Sequence, residues 1–162
     1  MTIKVALAGA GAFGIKHLDG IKNIPDVQVV SLISRDLAKT QEVADKYGIK
    51  HVTTDLADSL AIKEVDAVIL CTPTQMHASQ TIACLEAGKH VQVEIPLCDV
   101  LAEGENVLAL QQQTGLVAMC GHTRRFNPSH QYVHQKVTAG EFNIQQMDVQ
   151  TYFFRRTNMN AL

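Results

Sequence analysis

From the first residues to about position 121, short apolar runs alternate with stretches of helical periodicity. That rhythm predicts a parallel sheet whose strands are joined by crossover helices. "IKVALAG" (3–9) reads as a buried strand and "AFGIKHLDGIKN" as the helix after it. "VQVVSLIS" (27–34) is a second strand, "DLAKTQEVADKYG" a helix closed by Gly48, and "HVTTD" a short third strand. "DAVILCT" (66–72), "HVQVEIP" (90–96) and "LVAMCGH" (116–122) complete six strands, separated by the helices "MHASQTIACLEAG", ending at Gly88, and "DVLAEGENVLALQQQTG", stopped by Gly115. Six such units predict one doubly wound α/β domain with strand order 3-2-1-4-5-6.

Beyond Arg124 the texture changes. "NPSHQYVHQKVTAGEF" is a proline-opened helix, and "IQQMDVQTYFFRR" (144–156) alternates as a half-exposed strand does, with Met147, Val149, Thr151 and Phe153 on one face. The expectation is a domain over residues 1–122, then over 123–162 the first helix and strand of an α+β substrate domain whose remainder is absent. An uncovered apolar strand invites self-association, so a homo-oligomer formed through the C-terminal sheet is expected.

Composition narrows the function. The formal charge is −2 over 162 residues and the pI is about 6.4, which is not the footprint of a nucleic-acid binder. No apolar stretch approaches the length of a membrane span, and the opening "MTIKVALAGAGAFG" is too short and too broken by glycine for a secretory leader. Cys71, Cys84, Cys98 and Cys120 are irregularly spaced, with no metal-ligand pattern, so reduced thiols, no bound metal and a cytoplasmic setting are expected.

"GAGAFG" follows the first strand and opens a helix, the context in which a G-x-G-x-x-G match carries meaning. Gly9 permits the turn, Gly11 the approach of a pyrophosphate and Gly14 close helix packing, with the N–H groups around Ala12 and Phe13 facing the phosphates. This predicts a Rossmann fold binding a dinucleotide. A carboxylate ending the second strand would hold the adenosine ribose and repel a 2'-phosphate, but Ser34 stands there, followed by Arg35. A guanidinium gives a planar, charge-assisted contact to phosphate, so NADP is expected over NAD. Two alternatives stay open: Arg35 stacks on adenine without selecting, or Asp36 turns back to the ribose rather than capping the next helix.

The strand order brings the carboxyl ends of strands four, five and six beside the nicotinamide half of the cofactor. Cys71, Thr72, Pro73, Thr74 and His77 lie at the first of these, Glu94 and Ile95 at the second, and His122, Arg124 and Arg125 at the third. Glu94 reads either as a cofactor contact or as a cap. His122 and His77 are the candidate proton acceptors by location, with His17 behind them, although a histidine in such a loop is more often a hydrogen-bonded structural residue. Arg124 or Arg125 can clamp a substrate carboxylate or pair with an acid at a domain hinge.

The glycine loop, "CTPTQMHASQTIACLEAGKHV", "VEIP" and "RRFNP" together resemble the Gfo/Idh/MocA family of oxidoreductases, over all 162 residues. The resemblance implies an NADP-dependent dehydrogenase. Through "VQVEIPL", "GHTRRFNPSH" and "QQMDVQTYFFRRTNMNAL" it further implies a small anionic substrate, a carboxylated cyclic hemiacetal oxidised to a pyrone dicarboxylate. The family's Glu-Lys-Pro lysine is Ile95 here, which moves no proton, and the family's second-domain histidine, which the resemblance makes the better expectation for the proton acceptor, would fall beyond Leu162. A non-catalytic dinucleotide-binding regulator, or a cofactor-binding fragment without turnover, is the alternative.

Overall fold

The structure, a computed structural model, describes residues 2–150 and Tyr152. β1 (Ile3–Ala8), β2 (Val27–Ile33), β3 (His51–Thr53), β4 (Ala67–Leu70), β5 (His90–Val93) and β6 (Ala118–Cys120) form one sheet in the order β3-β2-β1-β4-β5-β6. Every neighbouring pair is parallel. The joining helices are α1 (Ala12–Ile21), α2 (Leu37–Tyr47), α3 (Leu56–Leu60), α4 (His77–Glu86) and α5 (Leu101–Thr114). The doubly wound order expected from the apolar pattern is the one observed.

The pleat sorts the core into two layers. Ala6, Ala8, Ile33, Val68, Leu70, Val91 and Val93 bury one face with Val65, Cys84 and Leu85, while Leu7 and Leu32, one residue out of phase, join Leu18, Ala44 and Ile49 on the other. Fully burying a leucine or valine stabilises by about 1.5–3 kcal/mol. Sequence local to each helix fixes its ends. Asp36 accepts from the Lys39 backbone N–H at 3.1 Å, and Gly48 and Gly115 take the left-handed conformation that closes α2 and α5.

The strands are shorter than their apolar runs: β4 ends at Leu70 and β5 at Val93, and the residues after them turn into loops. α3 has no counterpart in the sequence reading. Its five residues are too few to show a period, but Asp55 caps it by accepting from Ala57 N–H at 2.9 Å. Ser59 on α3 bonds Ser31 of β2 at 2.7 Å, and Ser31 also meets His51 Nδ1 of β3 at 2.9 Å. This buried polar joint fixes the outer strand.

Contacts divide the chain into Met1–His122 and Thr123–Leu162. In the second unit, α6 (Pro128–Thr138) opens on proline with Asn127 as cap, its side chain accepting from Ser129 N–H at 3.0 Å. The strand expected over 144–156 is corrected for the described part: residues 144–150 form no strand. An extended run becomes a strand only when a neighbour takes its N–H and C=O groups, and none of the described residues pairs with it. Met147 and Val149 are exposed there, whereas Thr151 and Phe153 lie outside the described residues.

Candidate cofactor site

The glycine loop joins β1 to α1, and its three glycines meet different surroundings. A Cβ on Gly9, which has φ +104°, would sit 2.3 Å from the Cys71 carbonyl oxygen, and one on Gly14 only 1.8 Å from the Gly9 carbonyl oxygen. A Cβ on Gly11 would meet nothing within 4 Å. Gly9 and Gly14 are thus required by the protein's own backbone, and Gly11 leaves space. The first helical N–H to find an intrahelical acceptor is that of Ile15, on Gly11 O. The donors of Ala12, Phe13 and Gly14 precede it, with no side-chain cap at Gly11 and no acidic residue in the first turn. Open space beside uncapped donors at the positive end of a helix fits a dinucleotide pyrophosphate. The Phe13 ring is exposed, with Lys16 Nζ 5.1 Å from its centre.

At the tip of β2, Ser34 is half-buried, its N–H donating to Thr53 O at 3.2 Å, and Arg35 is exposed. Asp36 is committed elsewhere. Besides the cap bond, one of its oxygens lies 3.2 Å from Lys39 Nζ, and these contacts hold its carboxyl below the usual range, the Lys39 backbone N–H contributing most. The reading of Asp36 as a helix cap holds, and no carboxylate is spare at the end of β2 to oppose a phosphate.

At the ends of β4 and β5 a pairing appears that sequence reasoning missed. His17 of α1 places Nε2 2.8 Å from Glu94 Oε1, with both side chains largely shielded. Neither of the two readings of Glu94, cofactor contact or cap, included this partner, because 77 positions separate the pair. The GxGxxG–x–x–His spacing was the available signal, since it sets His17 one turn into α1. Cys71 completes a group in which the His17, Cys71 and Glu94 donor atoms lie within 4.8 Å of one another. Such a set can hold a metal ion, but the Cys71 thiol is pushed up to about 12, chiefly by burial and then by Glu94, so a thiolate ligand is costly there.

His77 is corrected as a proton acceptor. It is 1% exposed, with Nδ1 2.7 Å from Pro96 O and Nε2 2.7 Å from Thr72 O. Both nitrogens face backbone carbonyls, so the ring ties the turn after β4 to the turn after β5 and offers no lone pair to a ligand. The Thr72 hydroxyl donates to Gln80 Oε1 at 2.6 Å, and Pro73 precedes the single helical turn Thr74–Met76. Ile95, half-exposed, follows Glu94. His122 is exposed after β6, its N–H on Cys120 O. Arg124 and Arg125 fall in the second unit, in the short helical turn Thr123–Phe126.

Comparison with known proteins agrees with this geometry. Residues 3–122 match the family model described as "Oxidoreductase family, NAD-binding Rossmann fold", and residues 128–162 match "Bacterial oxidoreductases, C-terminal". The chain is 69% identical over 159 residues to the 4-carboxy-2-hydroxymuconate-6-semialdehyde dehydrogenase of Sphingobium sp. strain SYK-6, covering 98% of this chain and 50% of that protein. It superposes with TM-score 0.83 and 29% identity on scyllo-inositol dehydrogenase from Lactobacillus casei with bound NAD(H) and scyllo-inositol, covering 87% and 42% of the two chains. A 3-ketoreductase from Actinomadura kijaniata in complex with NADP superposes with TM-score 0.79 and 26% identity, covering 86% and 44%. The chain spans half the length of the first relative and somewhat less of the others, and none of its described helices is long and apolar enough to cross a membrane. With its glycine loop, its sheet order and both family models in register, this chain belongs to the Gfo/Idh/MocA family of oxidoreductases.

Proposed function

We propose that this chain supplies the nucleotide-binding part of an NADP-dependent dehydrogenase. The enzyme would oxidise the cyclic hemiacetal of 4-carboxy-2-hydroxymuconate-6-semialdehyde to 2-pyrone-4,6-dicarboxylate, a step of protocatechuate 4,5-cleavage. The observation that carries the reading is the 69% identity over 98% of the chain to a dehydrogenase named for that semialdehyde. The preference for NADP rests on Ser34 and exposed Arg35 at the tip of β2, where Asp36 is tied to Lys39.

Bound at the glycine loop, the nicotinamide would accept hydride from the hemiacetal carbon. The chain's own residues hold and orient. Gly11 admits the pyrophosphate, the N–H groups at the start of α1 meet its charge, and His77 keeps the Thr72 and Pro96 turns at a fixed separation. As the hemiacetal becomes a lactone, its hydroxyl proton needs an acceptor within hydrogen-bond reach. Ile95 cannot serve, and His17 and His77 are engaged; His122 is the candidate that stays open at the strand ends, behind the family's second-domain histidine expected beyond Leu162. Arg124 or Arg125 would clamp a substrate carboxylate.

The test mixes the purified protein with NADP and the hemiacetal and follows absorbance at the reduced-nicotinamide band. Growth of that band with pyrone dicarboxylate as product supports the reading. A flat trace with intact NADP binding favours the alternatives, a dinucleotide-binding regulator, which Ile95 in place of lysine raises, or a cofactor-binding fragment without turnover.

A further inference from the structure

Three donors from three separate elements converge at the strand ends: His17 on α1, Cys71 just after β4 and Glu94 just after β5. A ring nitrogen of His17, the Cys71 sulfur and a Glu94 oxygen all lie within 4.8 Å of one another. His17 Nε2 and Glu94 Oε1 are already 2.8 Å apart, with side chains 26% and 15% exposed, and Cys71 is half-buried beside them. A tetrahedral zinc ion, with nitrogen and oxygen at about 2.0–2.1 Å and sulfur at about 2.3 Å, holds such donors roughly 3.3–3.6 Å apart. The imidazole and carboxylate would part by about half an ångström and the thiol would close by roughly an ångström, shifts that side-chain rotation supplies. Gln92 of β5 stands next to the set. Its amide nitrogen and Glu94 Oε1 lie 2.7 and 3.2 Å from the point a Cβ on Gly121 would occupy, and its Oε1 is buried with no hydrogen-bond partner among the described residues. A buried acceptor short of a donor suits a cation or the water bound to one.

The charges fit as well. A thiolate and a carboxylate together neutralise a divalent cation, and a neutral imidazole completes three ligands. Without a cation the two anions oppose each other, and the Cys71 thiol is pushed up to about 12, by burial first and by Glu94 second. That cost selects the ion. Magnesium and calcium favour oxygen and gain little from sulfur, whereas zinc and cobalt(II) bind thiolate strongly enough to remove its proton.

We propose that His17, Cys71 and Glu94 form a site for a thiophilic divalent cation, zinc or cobalt(II), with a fourth position open to water. As the metal–sulfur bond forms, the thiol proton leaves to solvent. The nitrogen of His17 that meets Glu94 becomes a ligand, its proton shifting to the other ring nitrogen, and Glu94 exchanges His17 for the metal. No electron moves. Cysteine spacing gave no sign of this site because each donor comes from a different element. The site is independent of the proposed reaction.

The experiment titrates cobalt(II), with no NADP present, into the purified, reduced protein and follows the near-ultraviolet absorption that arises only when a thiolate ligates cobalt. Wild type should develop the band to one cobalt per chain, and zinc should abolish it. Removing a ligand should weaken binding by at least the roughly tenfold to hundredfold that loss of an outer-shell partner costs. C71S should therefore bind about tenfold or more weakly and lose the band, and H17Q should weaken binding similarly while keeping the band at saturation. C98S and C120S should titrate as wild type. Melting curves verify that each variant is folded, and C71S, which preserves size, decides the matter if H17Q is destabilised. No band in wild type, an undiminished band in C71S, or a band lost in C98S or C120S would each overturn the site. Cobalt bound without a band, as His130 and His134 four residues apart on α6 can arrange by themselves, would overturn it too.

Discussion

Replacing Gly14 with alanine tests whether the glycine loop's close packing is structural, and replacing Gly11 tests whether its open space is functional. The Gly14 Cβ would lie 1.8 Å from the Gly9 carbonyl oxygen, where real contacts essentially never fall below 3.0 Å, and 3.1 Å from Leu7 Cδ2. The obstacle is backbone, so no side-chain rotation relieves it. The start of α1 must back away from β1 by more than an ångström, over Leu7 and Leu18, which are buried in one core layer. Overpacking of this kind costs about 1–3 kcal/mol and sometimes more; with backbone as the obstacle we expect about 3 kcal/mol, or roughly 6–12 °C in melting temperature for a chain of this size. Gly11→Ala meets nothing within 4 Å. Its effect on stability should stay within about 1 kcal/mol, because alanine is a poorer N-cap than glycine but restricts the unfolded chain. Its methyl nevertheless enters the space assigned to the pyrophosphate. Thermal melts and NADP titration of both variants separate the two roles. The reasoning is refuted if Gly14→Ala melts with wild type, or if Gly11→Ala binds NADP unimpaired.

Arg35→Ala should weaken NADP by about tenfold to a hundredfold, the value of a hydrogen bond between charged groups, and leave NAD nearly untouched; equal losses in calorimetry would remove the 2'-phosphate assignment. Cys71 and Cys84 are both pushed up to about 12 by burial. The native protein should therefore resist iodoacetamide at these positions at mildly alkaline pH and react only on unfolding, as mass spectrometry of the alkylated peptides would show. The same raised values stabilise the fold below the ordinary thiol value near 9, and that stability is lost as pH rises toward 12. Alanine at either cysteine should flatten the alkaline fall in melting temperature, and an unchanged slope would contradict the burial argument. For Asp36 the sign reverses. Its depressed carboxyl adds stability above the ordinary value near 3.8, lost as pH falls through the lower folded value. Asp36→Asn caps equally well without titrating, so its acid unfolding curve should be flatter than that of wild type.

What could be read from the sequence follows the range of the forces involved. Leu7 between Ala6 and Ala8 shows the pleat because alternation is local, and Gly48 and Gly115 mark helix ends because a left-handed residue is a local demand. The His17 and Glu94 pair depends on two elements meeting at one edge of the sheet, which neither segment specifies alone. His77 could be named only as a candidate by location for a similar reason. Its ligands are the Thr72 and Pro96 carbonyls, and backbone atoms leave no mark in the identity of a residue. Over 144–150 the alternation was present but pairing was not, since amphipathic patterning describes a face and hydrogen bonding requires a neighbour.

The His17–Glu94 contact also bears on how these positions change over evolutionary time. A carboxylate only 15% exposed that loses its imidazole is left short of a donor, and the imidazole without its carboxylate is likewise stranded. Substitution at either position alone meets a barrier that substitution at both avoids. Among related sequences the two positions should therefore be inherited as one character, conserved together or replaced together, although 77 residues of chain lie between them.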